Sequence, residues 1–444
     1  MSQITQARVV TALTGDYQDY QTNVLGTLDY LVEKYEDDYD FINIPFHNGE
    51  NRYLILNAEY TEEVLQTKQK SFVKGAAFNF FKPLLGEGLL TSEGEKHKRD
   101  RRIIQPSFHM RSLSGYADTM VLNALNLTKQ WEEGDLQQTD VSKDMMKLTL
   151  NIITETMFGT NIDQGKIEEV DEAFTTFSKV ISSAYRGITD MALFKQQVAN
   201  SIQKLQSAVA PIITERRGLE TQETDDLLAA LFRAKDEESG AGMTDEEIYE
   251  HVMTFFLAGH ETTSNALSWT WYLLSQNPHV EEKFHQEIDT VLGNRTPMLE
   301  DFGKLTYTKA IIQESMRVFP PAYQTARQAF EDVEIGGYNF KKGDTFLASQ
   351  YVLHRSKRYF EEPPMFDPER FENGTLKGVP KFAYFPFGGG SRVCIGNHFA
   401  MLEAVLVLAT LGQKYKLQTI NEVKPEPMIT LKPKTLNMKL IKRI

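Results

Sequence analysis

Apolar and polar positions recur at helical spacing along most of the chain, from about residue 60 to about residue 320. Alternating positions, which are typical of strands, occur only in short segments near the two ends of the chain. The pattern therefore predicts a mainly α fold with small β-sheets. The predicted strands are residues 39–45 and 52–56, joined as a hairpin by a turn at residues 47–50, and residues 333–335 and 345–347.

The clearest helical pattern covers residues 244–276. Thr244 is followed three residues later by Glu247, which is the sequence signature of a capping box at a helix start. Asn277 and Pro278 predict the end of the helix. At about 1.5 Å per residue such a helix is roughly 50 Å long and crosses the whole molecule. We therefore expect it to be buried along much of its length.

Polar residues stand in the middle of this apolar helix, in the run Ala258–Thr263. Glycine and threonine are weak helix formers, and a threonine hydroxyl can bond the carbonyl four residues earlier and open a bulge. The run is therefore predicted to interrupt the helix. Glu261 and Thr262 place an acid beside an alcohol, a pair that can transfer protons; a threonine-rich kink packed in the core is the alternative. We interpret His260 as a packing or solvent-facing residue.

Composition and charge exclude several classes of protein. The chain has 444 residues, 41% of them hydrophobic, and a formal net charge of −13, which disfavours nucleic acid or an anionic membrane as a partner of the whole chain. The N-terminus has no apolar signal core. The longest apolar stretch, residues 399–411, is interrupted by Glu403 and is too short to span a bilayer. We expect a cytoplasmic bacterial protein without a membrane anchor.

A single cysteine, Cys394, lies in the glycine-rich segment Phe387–Gly396. It cannot form an internal disulfide, so its use is packing, reactivity or metal ligation. Three glycines let the backbone approach a large flat group, and Arg392 offers a partner for a carboxylate. The helix predicted after Gly396 favours a thiolate at its start. A lone cysteinate can hold haem iron; the alternative is a buried, inert cysteine.

The glycine-rich segment fits the pattern F-x-x-G-x-R-x-C-x-G, and it resembles the haem-binding loop of the cytochrome P450 family. The resemblance implies that Cys394 is the axial ligand of the iron of haem b. It also implies that Phe387, Gly388 and Arg392 belong to the cofactor-binding loop.

The run Ala258–Thr263 is similar to a second motif of the family, the oxygen-activation motif A-G-x-[DE]-T. By this resemblance Thr262 lies beside the oxygen-binding position, and Glu261 is the acid of a proton relay. The two motifs occur in the family's order. The resemblance therefore implies the cytochrome P450 fold, with haem between the long central helix and the cysteine loop.

Glu314 and Arg317 match the pattern E-x-x-R, which on most helices is a surface ion pair. Here the pair stands between the long helix and the cysteine loop, as E-x-x-R does in the family. The segment Pro368–Phe371 resembles the family's P-E-R-F segment and contributes Arg370. The resemblance implies that Glu314, Arg317 and Arg370 form a buried ionic network that holds the cysteine loop.

The densest basic run, residues 96–102, stands where the family has a W-x-x-x-R pattern that binds a haem propionate. His97 occupies the tryptophan position and Arg101 the arginine position. Both side chains can donate to a carboxylate, and their spacing puts them on one helical face. Arg327 and His354 are further propionate candidates implied by the resemblance. The other cations of the run are interpreted as a docking patch for an acidic electron carrier or, alternatively, as a solvated helix face.

Substrate contacts are expected from an aromatic segment and from small residues near the motifs. Several segments are similar to soluble bacterial fatty-acid hydroxylases, among them Asn277–Val280, Pro368–Asn373 and Thr430–Pro433. The tip of the first hairpin has no arginine to bind a fatty carboxylate, and Arg52 is the nearest one. Terpenoids, retinoids, steroids and macrocycles therefore remain candidate substrates. The predicted pocket residues are Phe78, Phe81, Leu90, Ala258 and Ala322.

The resemblance covers nearly the whole chain and implies one haem domain, residues 1–444. It implies a monooxygenase that inserts one oxygen atom of O2 into a C–H bond of a hydrophobic small molecule such as a fatty acid or terpenoid. The chain ends about fifty residues after Cys394 with no fused reductase, so a separate ferredoxin or flavodoxin-type donor with its reductase is expected to supply electrons. The alternatives are a haem-thiolate isomerase or peroxygenase of the same fold, and a non-enzymatic haem gas sensor.

Overall fold

The computed structural model describes residues 6–45, 49–134, 137–161, 164–185, 191–217, 226–235, 240–374 and 376–443. Helices dominate the middle of the chain and most strands lie near its ends, which confirms the mainly α prediction. The α-helices are α1 (Thr14–Tyr17), α2 (Val24–Tyr35), α3 (Ala58–Glu62), α4 (Lys82–Leu85), α5 (Gly94–Ile104), α6 (Met110–Leu113), α7 (Ala117–Glu133), α8 (Val141–Phe158), α9 (Gln164–Tyr185), α10 (Met191–Arg217), α11 (Leu227–Arg233), α12 (Asp245–Gln276), α13 (Pro278–Leu292), α14 (Thr306–Val318), α15 (Gln350–Leu353) and α16 (Asn397–Lys414). The strands are β1 (Val9–Thr11), β2 (Phe41–Asn43), β3 (Arg52–Ile55), β4 (Phe72–Lys74), β5 (Gln138–Asp140), β6 (Thr325–Ala329), β7 (Val333–Ile335), β8 (Tyr338–Phe340), β9 (Thr345–Ala348), β10 (Tyr415–Thr419), β11 (Pro425–Pro427), β12 (Leu431–Pro433) and β13 (Asn437–Lys442).

The largest sheet has the strand order β1-β2-β3-β9-β6-β4, so it joins strands from the first and last thirds of the chain. β2 and β3 pair antiparallel with Phe41 opposite Ile55, which confirms the predicted hairpin, although residues 47 and 48 of its turn lie outside the described residues. β4 pairs with β6 and puts Lys74 opposite Arg327. The smaller sheets have the orders β10-β13-β5, β11-β12 and β7-β8.

The central element is α12, which packs against α8, α14 and α16. Its start is the predicted capping box: the Thr244 hydroxyl accepts a hydrogen bond from the Glu247 N–H at 3.2 Å, and the Glu247 carboxylate accepts one from the Thr244 N–H at 2.9 Å. Asn277 ends the helix and Pro278 begins α13, as predicted. Most α12 side chains are buried, so the sequence placed the boundaries and the burial of this helix correctly.

The predicted interruption of α12 at Ala258–Thr263 was wrong, because the helix is continuous there. The hydroxyls of Thr262 and Thr263 donate to the carbonyls four residues earlier, at 2.8 and 3.2 Å, without opening the helix. Gly259 has a packing reason: a Cβ there would lie 2.7 Å from Cδ1 of Ile153 on α8. Close packing of α8 on α12 thus outweighs the weak helix propensity of the run. None of the helices among the described residues has the length and apolar character needed to cross a membrane.

Candidate active site

A cavity of about 530 Å³ is bounded by α12 on one side and by the cysteine-containing loop on another. Cys394, Phe387 and Gly388 of the loop contribute to its wall, and so do Glu261 and Thr262 of α12. The two motifs, which are more than a hundred residues apart in the sequence, therefore face a common space.

The cysteine loop is closed by a hydrogen bond from the Cys394 N–H to the Phe387 carbonyl at 2.9 Å. The Cys394 side chain is exposed on the cavity wall, deep inside the protein. Burial raises the pKa of the Cys394 thiol, and the Gly396 N–H and the charge of Arg101 oppose this only partly. The helix start alone thus does not produce a thiolate here. A metal cation bound in the cavity would supply the charge that a thiolate needs.

The loop glycines are required by protein neighbours more than by a ligand. A Cβ at Gly389 would collide with the ring of Phe382. A Cβ at Gly390 would collide with the Leu65 carbonyl, and Gly390 also has a positive φ of 65°. Glycine therefore lets the loop lie against two other parts of the core and keeps Cys394 at the cavity wall.

Basic side chains are concentrated in one part of the cavity wall. Arg392 donates to the Ser92 carbonyl at 2.8 Å and pairs with Glu93. Arg101 donates to the Val393 carbonyl at 2.9 Å. The charge of Arg392 acts on several of the other cations, so the group is compact. Among the described residues that line the cavity, the cations are Lys74, Arg101, Arg327 and Arg392, and His97 lies among them.

The positive charges of this cation cluster outnumber the carboxylates that act on them. Burial and the charges of Arg392 and Arg327 lower the pKa of Lys74 to about 7. Burial and the Arg392 charge also lower the pKa of Arg327 to about 10 and that of His97 to about 3. Three carboxylates partly offset these effects: Glu93 acts on Lys74 and Arg327, Glu87 on Lys74, and Asp100 on His97. The residues therefore fit a ligand with two carboxylates, such as the propionates of haem.

Lys74 was missed by the sequence analysis, because it belongs to no motif and ends a short strand. It reaches the cation cluster only through the pairing of β4 with β6, which sets it opposite Arg327. The only signal that could have found it is the long-range strand pairing, and that is not visible in one sequence.

His354 is not among the residues that line the cavity, contrary to the prediction that it binds a propionate. It is fully buried, and burial lowers the pKa of its imidazole to about 3. Its Nε2 accepts a hydrogen bond from the Phe385 N–H at 2.9 Å, and its Nδ1 lies 3.3 Å from the Met316 carbonyl. Both ring nitrogens are therefore used to join α14 to the segment before the cysteine loop.

Glu314, Arg317 and Arg370 meet in the core beside that segment. Nε and Nη2 of Arg317 donate to the two carboxylate oxygens of Glu314, each at 2.7 Å. Arg370 Nε lies 3.5 Å from Glu314 Oε1. Burial raises the pKa of the Glu314 carboxyl, whereas Arg317, the Asp367 N–H and Arg370 lower it. The structure thus brings together the three residues of the predicted network.

Part of the basic run on α5 is used inside the protein. Arg99 pairs with Asp100 at 2.7 Å and also with Glu247 of α12. Lys96 pairs with the same two carboxylates, at 3.1 and 3.2 Å. Lys98 is more exposed than Lys96 and Arg99, with 68% of its side chain accessible, and it pairs at 2.6 Å with the exposed Glu95 of the same helix. The run therefore fastens α5 to α12, and Lys98 is better placed than Arg99 to meet a partner protein.

Glu261 and Thr262 of α12 form hydrogen bonds with different partners. The Thr262 hydroxyl donates to the Ala258 carbonyl at 2.8 Å. Glu261 Oε1 accepts a hydrogen bond from the Thr430 hydroxyl at 3.0 Å. Burial raises the pKa of Glu261 to about 7, although Lys432 and Thr430 lower it. The carboxyl can therefore exchange a proton near neutral pH.

His260 is fully buried, which excludes the solvent-facing interpretation and leaves the packing one. Its Nδ1 bonds the Phe256 carbonyl at 2.5 Å, and its ring contacts Phe174 edge to face.

The predicted pocket residues all line the cavity and give it an apolar wall: Phe78, Phe81, Leu90, Ala258 and Ala322.

Comparison with known proteins gives one consistent result. The family model described as cytochrome P450 matches residues 20–441. The chain is 35% identical to cyclooctatin synthase of Streptomyces melanosporofaciens over 87% of this chain and 85% of that protein. It is 30% identical to pentalenene oxygenase of Streptomyces avermitilis over 88% of each. It is also 35% identical to a bifunctional cytochrome P450/NADPH–P450 reductase of Bacillus cereus, over 81% of this chain and 35% of that protein.

The relatives named for their reactions are oxygenases, and one of them, also from Streptomyces melanosporofaciens, is cyclooctat-9-en-7-ol 5-monooxygenase, with 34% identity over 83% of this chain. The match extends over nearly the whole chain and includes both walls of the cavity. The protein therefore belongs to the cytochrome P450 family: it is a haem-iron monooxygenase of hydrophobic small molecules, which uses O2 and the electrons of a redox partner.

Proposed function

We propose that this enzyme hydroxylates an uncharged, largely hydrocarbon molecule of the terpenoid class. The observation that carries the proposal is the distribution of charge along the cavity wall. Among the described lining residues, the cations belong to the cluster of Lys74, Arg101, Arg327 and Arg392 around His97, to which we assign the two propionates. The remaining wall is mostly apolar.

This distribution favours terpenoids over fatty acids. A fatty carboxylate buried without a cation to pair with would be strongly disfavoured. Arg52, the nearest arginine to the first hairpin tip, is not among the lining residues, and it lies 3.6 Å from Glu50. The relatives cyclooctatin synthase and pentalenene oxygenase act on terpenoids, which agrees with a wall that offers shape rather than charge.

The chemistry follows from the residues on the two walls. Bound haem b supplies the oxygen chemistry, in which one atom of O2 enters a C–H bond and the other leaves as water, with two electrons and two protons consumed. Cys394 would hold the iron, and the cation cluster would hold the propionates. Glu261 and Thr262 would deliver the protons. The apolar wall would orient the substrate and exclude water.

We also propose a single haem domain that works in the cytoplasm with a ferredoxin or flavodoxin-type donor. The acidic chain has one cysteine and no disulfide pair, as expected in a reducing compartment. Lys98 is an exposed cation on α5, the helix that also carries Arg101, and an acidic carrier would be attracted to it.

The role of Cys394 is tested by spectroscopy of the reduced protein with carbon monoxide. The parent should show the red-shifted Soret band of thiolate ligation, and Cys394→Ser should lose it. Ser391→Ala, a change in the same loop, should keep the band. Retention of the band by Cys394→Ser would overturn the ligand assignment.

The substrate class is tested by spin-state titration of the oxidised enzyme. A cyclic diterpene hydrocarbon should shift the spin state at lower concentration than a fatty acid of the same carbon number. The methyl ester of that fatty acid separates charge from shape, because it has the same chain without the carboxylate. Tighter binding of the acid than of its ester would contradict the proposal and point to a cationic anchor.

A further inference from the structure

Glu261 receives its hydrogen bond from Thr430, a residue outside the two motifs that lies next to β12. Thr430 is itself buried, and it contributes to the cavity wall. We propose that Thr430 and Lys432 are positioning residues that hold the carboxyl of Glu261 and set its readiness to release a proton. This inference rests on the proposed role of Glu261 as the relay acid.

A third residue favours donation from Thr430 to Glu261. Asn265 Nδ2 donates to the Thr430 hydroxyl at 3.0 Å, and an amide N–H can only donate. The hydroxyl proton of Thr430 is therefore free to be donated to Glu261 Oε1, 3.0 Å away, when that carboxyl is ionised. A donor aimed at a carboxyl favours its ionised form. Thr430 thus opposes the tendency of burial to keep Glu261 protonated.

The backbone beside Thr430 is held in place from two sides. The Leu431 N–H donates to the Pro321 carbonyl at 2.8 Å. Trp269 Nε1, two turns along α12 from Glu261, donates to the Leu431 carbonyl at 3.0 Å. The bend that carries Thr430 is therefore anchored through the first residue of β12, and it presents the hydroxyl to Glu261.

Lys432 adds a charge from the same strand. Its Nζ lies 3.3 Å from the Thr175 hydroxyl on α9, and its side chain is half-buried. Among the described residues, the charges that act on Glu261 are Lys432 from β12, which lowers the pKa of the carboxyl, and Asp171 from α9, which raises it. Burial raises the pKa further, and together these effects give Glu261 a pKa of about 7.

The same contacts separate the acid from the alcohol. Thr262 donates to the Ala258 carbonyl while Glu261 is bonded to Thr430. Proton transfer therefore requires the Glu261 carboxyl to leave Thr430, or a water molecule to bridge the gap. The strength of the Thr430 hydrogen bond then influences how often the relay is connected.

The test measures the protonation of Glu261 directly in the haem-loaded enzyme. Infrared difference spectra between pH values, with those of Glu261→Gln subtracted, isolate the C=O stretch of this carboxyl. Thr430→Val keeps the shape and removes the donor, so the titration midpoint should rise by about one pH unit. Thr430→Ser keeps the donor and should restore the parent midpoint.

Matched controls separate the contact from general changes in the cavity. Thr254→Val makes the same change at another buried α12 threonine on the cavity wall, whose hydroxyl bonds the Glu250 carbonyl, and it should leave the midpoint unchanged. Lys432→Met should raise the midpoint, whereas Lys434→Met, at an exposed position of the same segment, should not. If Thr430→Val fails to fold, the comparison of Lys432→Met with Lys434→Met still tests the proposal.

Two outcomes would overturn the positioning role: an unchanged midpoint in both Thr430→Val and Lys432→Met, or a Thr430→Ser variant that titrates like Thr430→Val. The relay itself is judged by a different readout, the product formed per NAD(P)H consumed as a function of pH. That profile should follow the infrared midpoint. A Glu261→Gln enzyme with unchanged product yield would overturn the proposed relay while leaving the infrared result standing.

Discussion

Two buried carboxyls, Glu314 and Glu261, lie in very different surroundings. Glu314 receives two hydrogen bonds from Arg317 at 2.7 Å, one from the Asp367 N–H at 3.0 Å, and the nearby charge of Arg370. Among the described residues, the Glu261 carboxyl receives one hydrogen bond, from a neutral hydroxyl at 3.0 Å. Both residues are almost fully buried, so burial does not distinguish them.

The difference shows how partners decide what a buried acid can do. The partners of Glu314 occupy both of its oxygens and balance its charge, which ties α14 to the segment that carries Arg370. Glu261 keeps acceptor capacity and faces the cavity, and its pKa of about 7 allows it to change protonation during a reaction. A saturated carboxylate supports structure, whereas an undersaturated one can take part in chemistry.

The largest expected effect is on stability at Glu314. Arg317→Met leaves the buried carboxyl without its bidentate partner and should lower the free energy of unfolding by about 3–5 kcal/mol. Denaturant titration of the haem-loaded protein measures the loss. Lys341→Met, which breaks an exposed ion pair with Asp332 at 2.8 Å, is the matched control and should show no measurable change. Equal losses in the two variants would contradict the comparison.

At Glu261 we expect a somewhat smaller, pH-dependent effect, and Glu261→Gln should be more stable than the parent near neutral pH, whereas Arg317→Met is less stable. The folded pKa of Glu261, about 7, is above the ordinary value of 4.5, so the folded state binds the proton more tightly. The free energy of unfolding should therefore fall as the pH rises from about 4.5 to about 7, by roughly 3 kcal/mol in total. Glu261→Gln should remove this pH-dependent loss.

The same isosteric change at Glu314 sharpens the contrast. Glu314→Gln leaves Arg317 buried without its counter-charge, so it should destabilise the protein at every pH at which the parent carboxyl is ionised. If the stabilities of the parent and of the Glu261→Gln variant depend on pH in the same way, the pKa of Glu261 is not raised in the folded protein.

Replacing Thr262 should have the smallest effect on stability of these changes. Its effect on catalysis should be clear. The Thr262 hydroxyl bonds only the helix carbonyl of Ala258 among the described contacts, and alanine is a good helix former. Thr262→Ala should change the free energy of unfolding by less than about 0.5 kcal/mol. Product formed per NAD(P)H should fall several-fold, with hydrogen peroxide rising to match. A variant coupled as tightly as the parent would exclude Thr262 from proton delivery.

Local signals in the sequence were sufficient for much of the fold. The start of α12 follows from the reciprocal contacts of Thr244 and Glu247, and its end follows from Pro278, all within a few residues. The first hairpin follows from alternation in two neighbouring segments. Cys394 was recognisable because its signature is contained in ten consecutive residues. Each of these features has a signal within a short stretch of the chain, and the sequence shows that signal directly.

Tertiary packing decided the rest. The continuity of α12 depends on its contact with α8 at Gly259, and local propensity predicted the opposite. Lys74 enters the cation cluster through strand pairing, while His354 leaves the cavity because both of its nitrogens bind backbone groups in the core. The partner of Glu261 comes from a residue 169 positions away. The sequence by itself determined which chemical groups are present and where α12 begins and ends. Packing over long separations determined which groups meet, because the cost of burying charge depends on the neighbours that the fold supplies.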